Sequence, residues 1–320
     1  MGSLNRSGSG SADPALAFRY VALVVVIAVV VVALTPAAAY AWTPGTHVFL
    51  GEAVMRSVGL LPAAIADLLR AFPYDFLYGS IAADTSMAKK YAPVGRHCHS
   101  WHVGFEIYDA ANDGPLRAFG LGYLAHLAAD VVAHNYFVPR QLALTSTTIG
   151  LGHSYWESRF EGHLGERPGH RAVELLLLDH SRSDEHLDRI LSPTIFSTQT
   201  NRRIFRGMVY VTDTESWQRI VQLVSENSRW DLPDGDIAAY VARSYDFVMD
   251  LLQRLDASEP YSLDPAGHEP LQLAKRVRRA ALRRGGDVFL AEDAERSFGM
   301  PPTTLTYSAT LSTPLYLPTG

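Results

Sequence analysis

One apolar segment carries three polar side chains at a strict four-residue spacing. It runs from Gly120 to Pro139, GLGYLAHLAADVVAHNYFVP, and the polar residues are His126, Asp130 and His134. Four residues bring an α-helix back to nearly the same face, so the three side chains point one way. A helix with apolar residues on its other faces is buried, and buried imidazole and carboxylate groups need partners. Histidine and aspartate together are typical metal ligands.

The same spacing limits how such a metal face could work. Eight residues of helix rise about 12 Å, whereas metal–ligand bonds are about 2.0–2.2 Å long. One ion therefore does not easily take both His126 and His134. A metal face here would serve at least two ions, with Asp130 bridging them or belonging to the nearer one. The alternative is a hydrogen-bonded polar ladder in a helical core, but three polar groups on one face favour metal.

Composition narrows the class of protein. The chain has 320 residues, 48% of them hydrophobic, with twelve histidines and a net charge of −5. This charge argues against a general nucleic-acid binder, because no excess of basic charge is present to displace counterions. The single cysteine, Cys98, excludes an intramolecular disulfide and Cys-rich zinc sites. Any metal site must therefore use histidines and carboxylates.

The N-terminus has the pattern of a targeting segment. Two arginines precede an apolar run over 20–34, and Ala39-Tyr40-Ala41 is a small-x-small cleavage site. We predict a signal peptide over 1–41, a mature chain that begins with Trp42, and export to the periplasm or beyond. An uncleaved anchor is the alternative, because residues 15–18 could extend a run that is shorter than the roughly 20 residues of a spanning helix.

Beyond residue 41 the pattern is helical throughout. No convincing pair of alternating strands is present, so we predict an all-α fold with one domain over 42–298. Residues 299–320 contain proline and threonine without periodicity, which predicts an extended or disordered tail. The predicted helices lie near 47–58, 62–72, 100–112, 116–137, 153–166, 170–179, 184–192, 198–211, 214–227, 235–256, 268–284 and 287–298.

Other polar residues could join the central helix. His153 and Glu157 are four apart, which again places imidazole and carboxylate on one helical face. His47 follows soon after Trp42, and Asp84 ends a short apolar run, YGSIAADTS. The alternatives are an exposed helix pair for His153 and Glu157, a surface or capping residue for His47, and a helix cap for Asp84.

Two groups of histidines are harder to place. His97, His99 and His102 lie together in RHCHSWH, and they cannot all bind one compact site. Five further histidines have no organised carboxylate partner in the sequence, and we interpret them as surface residues: His163, His170, His180, His186 and His268.

The segment Leu271–Arg284 is strongly basic. Its pattern is compatible with a membrane or phosphate-lipid surface. A solvated helix face with basic residues near its C-terminal end explains the pattern equally simply, and we favour that interpretation from the sequence.

The candidate ligands, taken in order, resemble the zinc-dependent phospholipase C family. That family has a mature N-terminal tryptophan, an early histidine, an aspartate, a histidine before aromatic residues, a His-x-x-x-Asp pair, another histidine and a His-x-x-x-Glu pair. The matching residues here are Trp42, His47, Asp84, His99, His126, Asp130, His134, His153 and Glu157. The resemblance implies a single multi-helix domain, of the phospholipase C and nuclease type, around a buried site for three zinc ions.

The resemblance also implies how the ligands are shared. His126, Asp130, Asp84 and His99 would hold the first zinc. The α-amino nitrogen and carbonyl oxygen of Trp42, with His47 and a bridging Asp130, would hold the second. His134, His153 and Glu157 would hold the third. Asp84 would in addition be catalytic, because it could orient or deprotonate the attacking water.

One spacing departs from the bacterial phospholipases. They place five residues between the central aspartate and the next histidine, whereas this chain places three between Asp130 and His134. The shorter form, with Gly45-Thr46-His47-Val48, is similar to the catalytic domain of glycosylphosphatidylinositol-specific phospholipase D. The related single-strand nucleases also fit Trp-x-x-x-x-His, but their last pair ends in aspartate, so Glu157 favours the phospholipases.

The predicted function is an exported zinc-dependent phosphodiesterase that hydrolyses phospholipids with metal-activated water. The predicted partners are a phospholipid substrate and transient contact with a membrane surface. Nucleic acid is not favoured, and no obligate protein partner is inferred. The alternatives are a single-strand nuclease-like phosphodiesterase and a non-catalytic zinc-binding helical protein.

Overall fold

The computed structural model describes residues 42–86, 93, 96–145, 149–165 and 167–317. The predicted signal peptide and its cleavage site lie outside these residues. Helices make up the described fold and no strand occurs in it, which confirms the predicted all-α class. The α-helices are α1 Pro44–Arg56, α2 Ala63–Ala71, α3 Pro73–Ala82, α4 Trp101–Asp109, α5 Gly114–Val132, α6 Val138–Thr145, α7 Ile149–His163, α8 Arg167–Leu176, α9 Ser181–Ile190, α10 Thr198–Thr212, α11 Glu215–Glu226, α12 Asp234–Arg254, α13 His268–Arg284 and α14 Asp287–Phe298.

The central element is α5, and it is buried on nearly every side. The Asp113 side chain caps it by accepting a 3.0 Å hydrogen bond from the Leu116 amide. The helical run continues through a π-helical turn, Ala133–Phe137, into α6. The whole stretch, Gly114–Thr145, is long and apolar enough to cross a membrane, but 94% of its apolar window is buried inside the fold. It is therefore the core helix of this domain.

Two glycines let α3 and α5 approach until their backbones touch. A Cβ on Gly79 would lie 2.1 Å from the Phe119 carbonyl oxygen, and one on Gly122 would lie 2.0 Å from that of Phe76. No other residue type fits at such distances. This close packing brings the C-terminal end of α3 beside the middle of α5, where the polar face begins.

Two helices, α3 and α6, were not predicted from the sequence. Helix α3 is short and its residues from Phe76 to Ala82 are all buried, so its apolar residues show no helical period and cannot be told from a buried strand. Helix α6 contains Pro139, which usually ends a helix. Here the proline lies in the first turn of α6, directly after the π turn, where its missing N–H costs little.

The segment after α14 follows the surface of α12. Residues 299–317 are irregular except for a 3₁₀ turn at Ser308–Thr310. The Ser308 amide and hydroxyl donate to the Asp246 carboxylate at 2.6 and 3.0 Å. Tyr316 is buried, and its hydroxyl donates to Asp234 at 2.5 Å. Side-chain contacts thus attach this segment to the helical domain.

The interpretation of five histidines as surface residues was wrong for two of them. His180 and His186 are 6% and 2% exposed. Their Nε2 atoms donate to the carbonyl oxygens of Leu175 and Ile107 at 2.7 and 2.8 Å, which satisfies one ring nitrogen of each. A backbone carbonyl partner, near in the chain for His180 and distant for His186, is not revealed by the spacing of polar side chains.

Candidate metal centre

All nine candidate ligands have buried side chains, and none is more than 2% exposed. They come from five elements: the start of α1, the turn after α3, the loop before α4, the α5 helix with its π turn, and α7. Burying so many titratable groups is costly unless they satisfy one another or bind an ion. Their relative positions decide which of these holds.

Three imidazoles surround the Asp130 carboxylate. The Nε2 atom of His47 lies 3.1 Å from Oδ1, and the Nε2 atoms of His99 and His126 lie 3.0 and 3.1 Å from Oδ2. Among the described residues, neither oxygen of Asp130 nor Nε2 of His47 has a partner in hydrogen-bonding geometry. Buried polar atoms that are close together but not hydrogen-bonded fit a site that a cation completes.

Backbone carbonyls fix the tautomers of two histidines. Nδ1 of His126 lies 2.8 Å from the Ser80 carbonyl oxygen, and Nδ1 of His134 lies 2.6 Å from that of Pro265. A carbonyl oxygen only accepts, so Nδ1 carries a hydrogen, and in the neutral form of either ring the lone pair is at Nε2. Metal-binding histidines are oriented in this way by outer partners.

The electrostatics of the cluster favour the protonation states that a metal needs. Burial alone raises the pKa of the Asp130 carboxyl, but the charges of His126 and His47 outweigh it and hold that pKa well below its usual value. Burial, aided by His126, lowers the pKa of His47, and Asp130 opposes this only in part. An ionised carboxylate beside a neutral imidazole is the state in which both bind cations.

The ligand atoms fall into overlapping groups. His47, His126 and Asp130 form one, and Asp84, His99 and His126 form another, each with its ligand atoms within 4.8 Å of one another. Asp84 lies in the 3₁₀ turn that follows α3, and its Oδ1 is 3.4 Å from His99 Nε2. The contact between α3 and α5 therefore brings Asp84 to the histidines.

A third set of residues adjoins these groups. On α7, His153 Nε2 lies 2.7 Å from Glu157 Oε1. The ring of His134 is 5.2 Å from that of His153 and 6.4 Å from that of His99, measured between centroids. His134 thus lies between α7 and the histidines around Asp130, and it belongs to neither group that contains His126.

Trp42 anchors the start of the described chain on α5. Its indole Nε1 donates to the Ala129 carbonyl oxygen at 3.0 Å, one residue before Asp130. Its ring packs against Phe160 and Phe137, with centroids 4.2 and 5.1 Å away. The side chain of Trp42 therefore holds the start of the described segment beside the candidate metal centre.

The loop before α4 places His99 inside the cluster and His97 beside it. The buried Tyr123 hydroxyl donates to the Cys98 carbonyl oxygen at 2.7 Å, which ties this loop to α5. His97 is half-buried, and its Nδ1 accepts from the His99 amide at 3.1 Å. The Cys98 thiol is also buried, with Sγ 3.3 Å from His99 Nδ1.

Glu161 is a supporting residue that sequence reasoning missed. Its carboxylate accepts from the Thr43 hydroxyl and, at 3.1 Å, from the Thr46 amide at the start of α1. Burial raises its pKa despite these hydrogen bonds. Glu161 lies one turn after Glu157 on α7, so it joins the segment that carries Trp42 and His47 to the helix that carries His153. Its four-residue spacing from Glu157 was the available signal.

The loop before α13 supports His134 from the opposite side. Gly267 has a left-handed φ of +57°, and a Cβ there would lie 2.5 Å from both Cβ and O of His134. Only glycine allows this approach, which also brings the Pro265 carbonyl to the His134 ring. The Pro-Ala-Gly sequence indicates a turn, but nothing in it indicates that the turn contacts His134.

Comparison with known proteins agrees with this geometry. The sequence model of the zinc-dependent phospholipase C family matches residues 46–203, and the chain belongs to this family. The match includes every candidate ligand except Trp42, which lies just before it. Neither the curated proteins nor the solved structures gave a match. Family membership and the buried His and Asp cluster together support a phospholipase-type zinc hydrolase.

Proposed function

We propose that this protein is an exported phosphodiesterase that uses zinc, held by the nine buried residues, to hydrolyse phospholipids in the manner of a phospholipase C. The observation that carries the proposal is the Asp130 carboxylate, fully buried and surrounded by three imidazole nitrogens at 3.0–3.1 Å. A polar ladder would satisfy these atoms by hydrogen bonds, and the oxygens of Asp130 make none in the described structure.

The donor set matches zinc. Imidazole nitrogen and carboxylate oxygen are its usual ligands in hydrolases, and the Nδ1 bonds of His126 and His134 present Nε2 for binding. We assign three ions. His126, Asp130, Asp84 and His99 would hold the first, Trp42 and His47 with a bridging Asp130 the second, and His134, His153 and Glu157 the third. When bound, zinc lowers the pKa of water and stabilises charge on the phosphodiester oxygens.

The chain's own residues would organise the reaction around those ions. Asp130 remains ionised and supplies negative charge between the imidazoles, while Ser80 and Pro265 keep the rings of His126 and His134 in a fixed orientation. Asp84, buried beside His99, would accept the proton of the attacking water. The oxygen of that water forms the new bond to phosphorus, and the bond from phosphorus to the glycerol oxygen breaks. The departing oxygen takes up a proton, which gives a diacylglycerol and a phosphorylated head group.

Export is part of the proposal. Cleavage before Trp42 would create the free α-amino group that the second ion needs, because a terminal amine binds metal once it is deprotonated. The anchoring of Trp42 next to Asp130 supports this role. N-terminal sequencing of the purified protein tests it, and a mature chain that begins elsewhere would remove Trp42 from the ligand set.

A comparison of substrates tests the function. Purified protein is incubated with phosphatidylcholine, phosphatidylinositol and single-stranded DNA, each with and without a chelator. We expect release of a phosphorylated head group together with diacylglycerol, lost with chelator and restored by added zinc. Phosphatidic acid in place of diacylglycerol would indicate cleavage on the other side of the phosphorus. Hydrolysis of DNA alone would favour the nuclease, and no chelator-sensitive hydrolysis at all would contradict the enzyme assignment.

A further inference from the structure

Helix α13 has a charge opposite to that of the whole chain. The chain carries a net charge of −5. Over its 17 residues α13 has one acidic residue, Glu269, and six basic ones, so its own net charge is +5 with histidine neutral. The basic residues are Lys275, Arg276, Arg278, Arg279, Arg283 and Arg284.

Two of the six have structural partners. Arg278 donates to the carbonyl oxygens of Ala143 and Leu144 at 3.1 and 2.6 Å, near the C-terminal end of α6. Arg284 pairs with Asp293 on α14 and lies over the Phe289 ring, 5.1 Å from its centroid. These two arginines attach α13 to its neighbours.

The other four form what we call the basic face: Lys275, Arg276, Arg279 and Arg283. At 100° per residue they fall within a sector of about 100° on one side of the helix. The three arginines are exposed and Lys275 is half-buried. Within the described part of the chain, no carboxylate lies at ion-pair distance from any of them. The basic face is therefore an unbalanced stripe of positive charge.

The helix dipole does not account for this stripe. Basic residues are favourable in the last turn of a helix, where the C-terminal carbonyls are. Only Arg283 of the basic face lies there. Lys275, Arg276 and Arg279 lie further back, where the dipole gives them no advantage. Their mutual repulsion has no counterpart within the described residues, which points to an external anionic partner.

The location of α13 relates the basic face to the metal centre. Gly267, next to the first residue of α13, packs against His134. From there α13 rises about 1.5 Å per residue, so the basic face begins roughly 12 Å along the helix from the His134 contact and ends roughly 24 Å from it. Exposed apolar side chains lie near its far end: Leu282 is 43% exposed and Val288, on α14, is 81% exposed. Basic residues beside exposed apolar ones are typical of helices that lie on lipid head groups.

We propose that the basic face of α13 binds the surface of an anionic lipid bilayer and so holds the metal centre close to that bilayer. This inference rests on the proposed function for its purpose, since the substrate would be a lipid, but the binding can be measured without catalysis. Charge complementarity identifies the partner as an anionic bilayer, because a continuous layer of lipid phosphates neutralises a row of cations on one side of a helix.

The test compares two variants with the same loss of charge. In the first, Lys275→Gln, Arg276→Gln, Arg279→Gln and Arg283→Gln remove the basic face. In the matched control, four exposed arginines on other helices are changed to glutamine: Arg56, Arg117, Arg167 and Arg203. Binding is measured by co-sedimentation with vesicles of non-hydrolysable diether lipids, either neutral phosphatidylcholine or 30% phosphatidylglycerol. The ratio of the two dissociation constants cancels any contribution from the N-terminal apolar segment.

We expect the wild type and the control to prefer the anionic vesicles, and the first variant to lose that preference by about 100-fold. Salt should weaken the wild-type preference. Hydrolysis of a short-chain, monomeric phospholipid should be the same in all three proteins. A wild type that binds the diether vesicles but hydrolyses nothing would refute the proposed function and leave the surface intact.

Equal binding of the first variant and the control, or no preference in the wild type, would overturn the inference. So would a basic face that binds single-stranded DNA and not vesicles. Circular dichroism of each variant verifies folding. If the quadruple variant fails to fold, the pair Arg276→Gln and Arg279→Gln replaces it, with an expected loss of about tenfold.

Discussion

Two regions of this protein bury histidines that share one hydrogen-bond pattern, and only one of them is the candidate metal centre. In the centre, His126 donates from Nδ1 to the carbonyl oxygen of Ser80; on α9, His186 donates from Nε2 to that of Ile107. Their exposed fractions are 0% and 2%. Burial and a carbonyl partner are therefore not enough to recognise a ligand.

The second ring nitrogen makes the difference. In His126 it faces the Nε2 atom of His99 at 3.0 Å and the Asp130 carboxylate at 3.1 Å, which together form a set of electron-pair donors. In His186 it faces the Arg189 guanidinium at 3.5 Å, which is itself a hydrogen-bond donor. An N–H group beside the remaining lone pair completes a structural histidine, whereas imidazoles and a carboxylate that face one another fit a cation site.

Replacing His126 or His186 by glutamine should give the largest difference in zinc content and hydrolysis between the two regions. His126→Gln should lose bound zinc and reduce hydrolysis about a thousandfold, because a metal contributes several kcal/mol of transition-state stabilisation. His186→Gln should keep zinc and specific activity, at a cost of about 1–3 kcal/mol of unfolding free energy. Metal analysis, activity and urea unfolding measure these effects. Full zinc content in His126→Gln would remove this histidine from the site.

The next largest effect should come from substitution of Gly122, whose close contact with Phe76 lies behind the candidate metal centre. Gly122→Ala places a methyl group 2.0 Å from the Phe76 carbonyl oxygen. The helices α3 and α5 must separate, which should lower the unfolding free energy by about 3 kcal/mol and weaken zinc binding by displacing Ser80 from His126.

Gly207→Ala, in the exposed middle of α10, is the matched control. Nothing lies within 4 Å of its added Cβ. The same substitution should there stabilise the protein by about 0.5–1 kcal/mol, because alanine is the better helix former. Thermal or urea unfolding of both variants tests whether the unfolding free energy falls for Gly122→Ala and rises for Gly207→Ala. An equal loss at both positions would refute the account of close packing.

Two carboxylates lie one turn apart on α7. We assign Glu157 as a zinc ligand and Glu161 as a residue that supports the start of α1. Glu157→Gln should lose zinc, since the charged oxygen beside His153 is removed. Glu161→Gln should keep zinc and change the unfolding free energy by less than about 0.5 kcal/mol, because an amide oxygen still accepts from Thr46 and burial already disfavours the charge. Glu161→Ala removes the shorter of the two acceptors of the Thr46 amide, leaving only the Thr43 hydroxyl at 3.4 Å, and should cost about 1–2 kcal/mol. Zinc loss in Glu161→Gln but not in Glu157→Gln would reverse these assignments.

The smallest effect concerns His180, a buried histidine outside the candidate metal centre, at the N-terminal end of α9. Burial lowers its pKa, opposed in part by the Leu175 carbonyl and by Asp184. A folded pKa below the unfolded value of about 6.5 means that the unfolded chain binds more protons in this range. The stability that His180 contributes is therefore present above about pH 6.5 and is lost as the pH falls through its folded pKa.

Urea unfolding of the wild type and of His180→Gln between pH 8 and pH 5 measures this contribution. The wild-type advantage should shrink toward acid pH, by at most about 1.4 kcal/mol per pH unit. A constant difference over that range would show that His180 does not titrate in this way.

Much of the fold was readable from the sequence. The apolar period of 3.6 residues predicted the helical class and most helices, since amphipathic surface helices such as α9 and α10 show it strongly. It failed for α3, which is buried on every side from Phe76 onward and so has no period there. It failed again at Pro139, where the π turn allows the helical run to continue into α6. The period fails where burial is complete or where the helix geometry changes.

The chain alone determined the residue types and the four-residue spacing of His126, Asp130 and His134, because helical geometry is local and acts within a few residues. Tertiary structure decided the rest. It brought Asp84, His99, His47 and α7 to that face, set the tautomers through the distant carbonyls of Ser80 and Pro265, and buried His186 against the distant carbonyl of Ile107. These outcomes depend on contacts between residues far apart in the chain, which no local pattern encodes.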